Sequence, residues 1–256
     1  MLAVFKRDLY AYFTGPTGYV FLAVFFAVNG AAFSLFTLQA GVISGLNTYF
    51  TTVIILLAFV IPILTMKTFS EEKRQRTEQL LLTSPISLGG LVFGKFLSVF
   101  VVFAGAFLLS TAFHSLVLYP FASDVLFEPG VVYTAAERSA IVGSYFVRYI
   151  GPAIAVLLVG AAFTAVGVFV SALTENQVIA VLGTVSILLV FLATTLLSPY
   201  IPFAPIRAML DWVSIYSRFT NFVYGIFDFN AILYYASISF VFQFLTVRVY
   251  EKRRWA

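Results

Sequence analysis

Few side chains in this 256-residue sequence are equipped for chemistry. There is no cysteine, so thiolate metal sites, disulfides and cysteine nucleophiles are excluded. The one histidine, His114, excludes a multi-histidine metal site. Two runs imitate catalytic motifs. Gly89 to Lys95 follows most of the phosphate-binding pattern G-x-x-x-x-G-K-[ST], but Phe96 stands where a hydroxyl must hold magnesium. No strand is expected before it and an apolar helix follows, which is the wrong context for that loop. Glu71-Glu72 with Arg76 matches the E-E-x-x-x-R pattern of one class of intramembrane proteases, whose chemistry also needs histidines deep in the membrane. His114 has no second histidine beside it, and is read as a hydrogen-bonded packing residue with a pathway role left open.

The elements that must position these residues are membrane helices. Hydrophobic residues make up 61% and charged residues 10%. Soluble domains carry about 45–50% and about 25% respectively. So little charge cannot cover a water-facing surface, which excludes soluble globular, disordered and nucleic-acid-binding readings. A charge at the centre of a membrane helix costs roughly 2.5–3.5 kcal/mol, so charge-free stretches mark spans. Five stand out: Leu9–Met66, Phe96–Ser123, Tyr149–Thr174, Asn176–Ile206 and Phe229–Val247. The first is long enough for two helices, divided at a turn-like cluster of Gly41, Ser44, Gly45 and Asn47. Six spans are predicted, near 17–40, 49–67, 92–119, 147–171, 177–198 and 229–248, with a loop over 120–146. The runs are apolar all round, unlike the alternating strands of a barrel.

Lysine and arginine set the orientation. Six spans leave both termini on one side, and eleven of the fifteen basic residues fall there. The positive-inside rule makes that side cytoplasmic. The segment Met1–Phe13 is not a convincing signal peptide, because Asp8 follows the basic pair and no cleavage site is clear. Leu2, Phe5, Leu9, Tyr12 and Phe13 recur at helical spacing, with Lys6, Arg7 and Asp8 opposite. A short amphipathic helix on the cytoplasmic membrane surface is expected. In the fourth span, Gly160/Thr164 and Gly167/Ser171 are small-xxx-small pairs that suit close packing, inside the chain or between copies.

The densest charge lies between spans two and three, over 68–87. Thr68 and Glu71 fit a capping box. Glu72 with Arg76, and Arg74 with Glu78, are i,i+4 pairs. Leu80, Leu81 and Leu82 add apolar bulk, and Pro85 ends the segment or opens the next helix. A short helix of this kind would dock in a groove of another protein; a solvated loop that holds positive charge fits equally well. Lys95 reads as a charge anchoring the end of span three.

The runs Lys67-Thr68-Phe69-Ser70-Glu71-Glu72-Lys73-Arg74, Thr77-Glu78-Gln79-Leu80-Leu81-Leu82-Thr83-Ser84-Pro85-Ile86 and Gly94-Lys95 resemble the ABC-2 family of ABC transporter permeases. Leu173-Thr174-Glu175-Asn176-Gln177 and the ending around Arg248 and Arg253-Arg254-Trp255 resemble it too, and the likeness is greatest to the gliding-motility permeases. The resemblance spans the whole chain. It implies an all-α polytopic membrane protein, one domain over 1–256, with six transmembrane helices, an N-terminal interfacial helix, a cytoplasmic coupling helix and an external re-entrant region over 199–228. It implies a non-catalytic subunit of an exporter in the bacterial inner membrane. Two permeases, the same or related chains, would pair above two cytosolic ATPases that bind ATP and magnesium. Glu71, Glu72, Arg74, Thr77 and Glu78 would make polar contacts with the ATPase, and Leu80, Leu81 and Leu82 would anchor the helix end. Spans two and five would line the path, so Phe59 and Phe191 are candidate pathway or packing residues. The competing readings are an ATP-independent channel or secondary carrier, which the scarcity of buried acids weakens, and a membrane-embedded enzyme.

Overall fold

The structure, a computed structural model, describes residues 1–38, 42–79, 86–125 and 132–255. It is helical, with no strand among the described residues. In chain order the helices are α1 (Leu2–Thr14), α2 (Pro16–Phe33, continued by a π-helical turn over Ser34–Leu38), α3 (Val42–Thr65), α4 (Lys67–Arg74) and α5 (Leu88–Val125). Then come α6 (Ala135–Leu173), α7 (Gln177–Leu197), a 3-10 turn (Ser198–Tyr200), α8 (Ala204–Val213), α9 (Ile215–Val223) and α10 (Phe229–Trp255).

Six segments are long and apolar enough to cross a membrane: Pro16–Leu38, Gly45–Arg74, Leu88–Leu118, Ala135–Leu173, Gln177–Tyr200 and Phe229–Arg254. Their starts follow local chemistry. Extended Gly15 turns the chain into Pro16, whose fixed φ suits a first helical position. Thr134 and Glu137 form a complete capping box for α6. The Asn176 side chain accepts from Val178 and Ile179 at the start of α7. Asp228 does the same for α10 through Asn230 and Ala231, and the amide of Asn221 holds its carboxyl below the usual range.

The bundle is organised around α6, which packs against α3, α4, α5, α7, α9 and α10. Its most apolar stretch is 72% buried, against 22% for α7 and 17% for α10. Glycine makes that centrality possible. A Cβ on Gly160 would stand 2.1 Å from the Phe103 ring, and one on Gly167 would stand 2.2 Å from Thr65 Oγ1. The small-residue notches are therefore filled from within the chain, by α5 and α3.

One expectation is corrected here. The supposed loop over 120–146 is mostly helical in its described parts, because α5 runs to Val125 and α6 begins at Ala135, with non-helical 132–134 ahead of it. Charges such as Asp124 and Arg138 bar a segment from the hydrocarbon core, yet they do not stop a helix. The region after span five, 199–228, holds two short helices, α8 and α9, and α9 packs against α6 and α7.

A candidate coupling site at the charged end

The ends of the bundle differ. One end gathers α1, α4, the first turns of α5 and the last turns of α10; the other carries α8 and α9. The first holds the segment singled out by sequence.

At its centre is Lys95, in the second turn of α5. Its side chain is 2% exposed. The ammonium donates to Asp8 Oδ2 at 3.1 Å, Glu72 Oε1 at 2.9 Å and the Thr68 carbonyl at 2.7 Å, which uses all three of its protons. Arg7 closes the network, with Nη2 at 2.8 Å from Glu72 Oε1 and Nε donating to Asp8. Burial lowers the pKa of Arg7, but Asp8 and Glu72 outweigh it and the net shift is upward. Two cations and two anions balance, and they tie α1, α4 and α5 together. A buried charge removed from its partners is costly, so the cluster specifies one arrangement of these helices.

Aromatic rings extend this network sideways. Lys95 sits 5.0 Å over the Phe69 ring, which lies 4.7 Å from the ring of Tyr250. Tyr250 in turn lies 5.3 Å from the Arg253 guanidinium. Arg253 donates to Glu78 at 3.1 Å and to the Ala172 carbonyl at 2.9 Å, one of the orphan acceptors at the end of α6. Phe69 and Tyr250 are buried with Leu88, Val92, Val168 and Ala172. Thus α1, α4, α5, α6 and α10 meet in one connected layer.

The junction of α3 and α4 has its own clamp. The helices nearly run together, interrupted at Met66. Ser171 Oγ of α6 accepts from the Phe69 and Ser70 amides at 3.0 and 3.1 Å, and donates to the Met66 carbonyl at 3.0 Å. One hydroxyl bridges the break in the backbone ladder. At its other end α4 closes in a Schellman motif: Arg76 N–H donates to the Lys73 carbonyl and Thr77 N–H to the Glu72 carbonyl. The left-handed position is Arg76, at φ 57°, where glycine is the usual occupant. A non-glycine residue there costs on the order of 1 kcal/mol.

Several expectations change. Thr68 and Glu71 form no capping box, because α3 leads into α4 and leaves no free N-terminus; Met66 precedes α4 without a side-chain cap. The Glu72–Arg76 and Arg74–Glu78 pairs do not form. Glu72 is held by Arg7 and Lys95, and Glu78 by Arg253. Asp8 lies on the packed side of α1, in one stripe with Val4 and Tyr12, and not with exposed Lys6 and Arg7. Lys95 is an interior node and no surface anchor. Gly89 to Lys95 forms the first two turns of α5, and Gly94 lets α1 approach, with a Cβ there 3.1 Å from the Met1 carbonyl.

Of the other singled-out residues, Glu71 accepts from Gln75 at 3.3 Å and lines a cleft of about 440 Å³ between α1 and α4. Thr77 donates to the Glu72 carbonyl, and Arg74 is exposed. Leu80, Leu81, Leu82 and Pro85 lie outside the described residues. Phe59 is 45% exposed on α3, and Phe191 packs half-buried against the core. The sequence did not assign Asp8, Ser171 or Arg253 to this site. A signal existed for Asp8, which stands four residues from both Val4 and Tyr12.

His114 belongs to a second cluster, within the spans and toward the opposite end. Tyr49 donates to Asn29 Oδ1 at 3.0 Å, and Asn29 Nδ2 donates to Ser110 at 2.7 Å. With the one Tyr49 proton so used, the 3.1 Å contact to His114 requires the proton on His114 Nδ1. The imidazole stacks on Phe33 at 3.9 Å. This neutral cluster pins α2, α3 and α5.

These features define a polytopic helical membrane protein with a rigid, ion-paired layer at one end. The family model for ABC-2 family transporter proteins matches residues 20–254, and the chain belongs to that family. No curated protein matches the chain closely.

Proposed function

We propose that this ABC-2 membrane protein is the permease subunit of an exporter, driven by separate ATPase chains at its charged end. The charged end faces the cytoplasm in this reading, with both termini, and the membrane is the bacterial inner membrane. ATP and magnesium are bound by two partner ATPases, and a second permease completes the pathway. Phe59, outward on α3, faces the space between two permeases. The likeness of 67–86 to gliding-motility permeases supports reading the chain as one of that group.

The connected layer carries this reading. A push on 67–79 cannot be absorbed locally, since Lys95 ties α4 to α1 and α5, Ser171 ties it to α6, and Arg253 ties Glu78 to α10. Motion of a docked partner is handed to several spans as a rigid body. ATP shifts the equilibrium only by its differential affinity for the two states. Glu71, Arg74, Thr77 and the three leucines contact the partner, while Glu72 and Glu78 brace the segment from behind.

The test is to express a tagged chain with its neighbouring genes and ask whether an ABC ATPase co-purifies, followed by ATP turnover in proteoliposomes. Retention of the ATPase, with turnover raised by the permease, supports the proposal. A chain that never retains an ATPase, yet conducts solute without ATP, is a channel or carrier.

A further inference from the structure

We infer that the turn closing α4 docks onto an acidic patch of the partner, with Arg74 and Arg76 as its contact residues. This rests on the permease reading above and adds the chemistry of the surface that the ATPase must present.

The two signs of charge are largely sorted on α4 and the turn that closes it. Four of the acids point inward or are paired: Asp8 and Glu72 to Lys95 and Arg7, Glu78 to Arg253, Glu251 to Arg248; Glu71 bonds Gln75, and Glu175 is exposed at the turn between α6 and α7. Arg74 and Arg76 are exposed and have no side-chain partner among the described residues. A coupling segment whose sequence reads as mixed charge therefore presents a basic tip. Carboxylates on the partner complement it, and guanidinium groups suit them as bidentate donors.

The backbone supplies an independent observation. Arg74 in the last turn is explained by the helix dipole alone. Arg76 is not, because it occupies the left-handed position that glycine fills without strain. A strained residue persists where its side chain has work to do. Two backbone hydrogen bonds, from the Arg76 and Thr77 amides, fix the direction in which it leaves the turn. A fluid layer of anionic headgroups needs only charge, which a flexible lysine supplies from any backbone conformation. A fixed direction matters against a partner with fixed carboxylates, so a protein surface is favoured over lipid.

The experiment measures binding of the purified chain in detergent to an ABC ATPase recovered from the co-purification above, or supplied from a neighbouring gene, across a salt series. The variants are R74E/R76E and R76G; the second keeps the turn, relieves its strain and removes one charge. Thermal unfolding of each variant is followed in parallel. Wild-type affinity should fall as salt rises. R74E/R76E should bind about tenfold or more weakly, with a flatter salt dependence. R76G should bind several-fold more weakly while unfolding no earlier than wild type. If R74E/R76E binds the ATPase as wild type does, the inference is overturned and the permease reading stands. A loss confined to phosphatidylglycerol nanodiscs, with ATPase binding intact, also overturns it and assigns the arginines to lipid. If wild type binds no ATPase at any salt, the permease reading itself fails.

Discussion

Lys95 and His114 stand on the same helix, roughly 28 Å apart at 1.5 Å per residue, close to the thickness of a hydrocarbon core. Both are buried and both join three helices, yet they do so with different chemistry. Around Lys95 the partners are ions, two of each sign, at an end where Arg7 still reaches water. Around His114 they are an amide, a phenol and a hydroxyl, all neutral. The contrast is one of desolvation, which ions feel more than neutral groups do. Near the end of a span an ion pair can form while its outer member stays hydrated. Toward the opposite end, neutral hydrogen bonds satisfy buried polar groups without that desolvation. The ionic layer resists being pulled apart, whereas the neutral cluster mainly sets register.

The largest effect should come from Lys95→Met, which leaves Asp8 and Glu72 with only Arg7. A loss of about 3–5 kcal/mol is expected for breaking a buried ion cluster. Thermal unfolding in detergent checks it, and K95M/E72Q, which restores neutrality, should recover much of the loss. Failure of the double variant to recover would mean that packing, not charge, holds this layer. Ser171→Ala is next. It places a neutral defect in the charged end by orphaning the Phe69 and Ser70 amides, at about 1–3 kcal/mol for an unsatisfied buried group. An effect as large as that of K95M would erase the distinction between ionic and neutral bracing. Tyr49→Phe removes two bonds from the cluster at His114 and should cost about 1 kcal/mol, as membrane-buried hydrogen bonds do. A loss equal to that of K95M would reverse the comparison. Smallest is Glu78→Gln, which breaks a partly exposed pair and should cost about 1 kcal/mol or less. High salt should shrink the difference between this variant and wild type.

What was legible in the sequence follows the same physics. The six spans could be read because charge in the hydrocarbon core is prohibitive, so gaps between charges mark helices. The pairing of the charges could not. Glu72 has an arginine four residues on, which local rules favour, but its partners come from α1 and α5. Thr68 and Glu71 mimic a helix start only if a helix starts there, and whether α3 runs on into α4 is a tertiary matter. The small residues of α6 declared close packing, yet nothing local distinguishes a notch filled by Phe103 from one filled by another copy. Asp8 was set on the wrong face because an acid beside two bases suggests water, although its spacing from Val4 and Tyr12 placed it inward.

The clamp by Ser171 also bears on assembly in time. The hydroxyl that completes the end of span two lies 102 residues beyond the Phe69 amide it receives. At about 5–20 residues per second, ribosomal synthesis delivers that serine roughly 5–20 seconds after Phe69. During that interval the Phe69 and Ser70 amides wait for their native partner. The second span is thus inserted before its end can be finished, and the arrival of the fourth locks it.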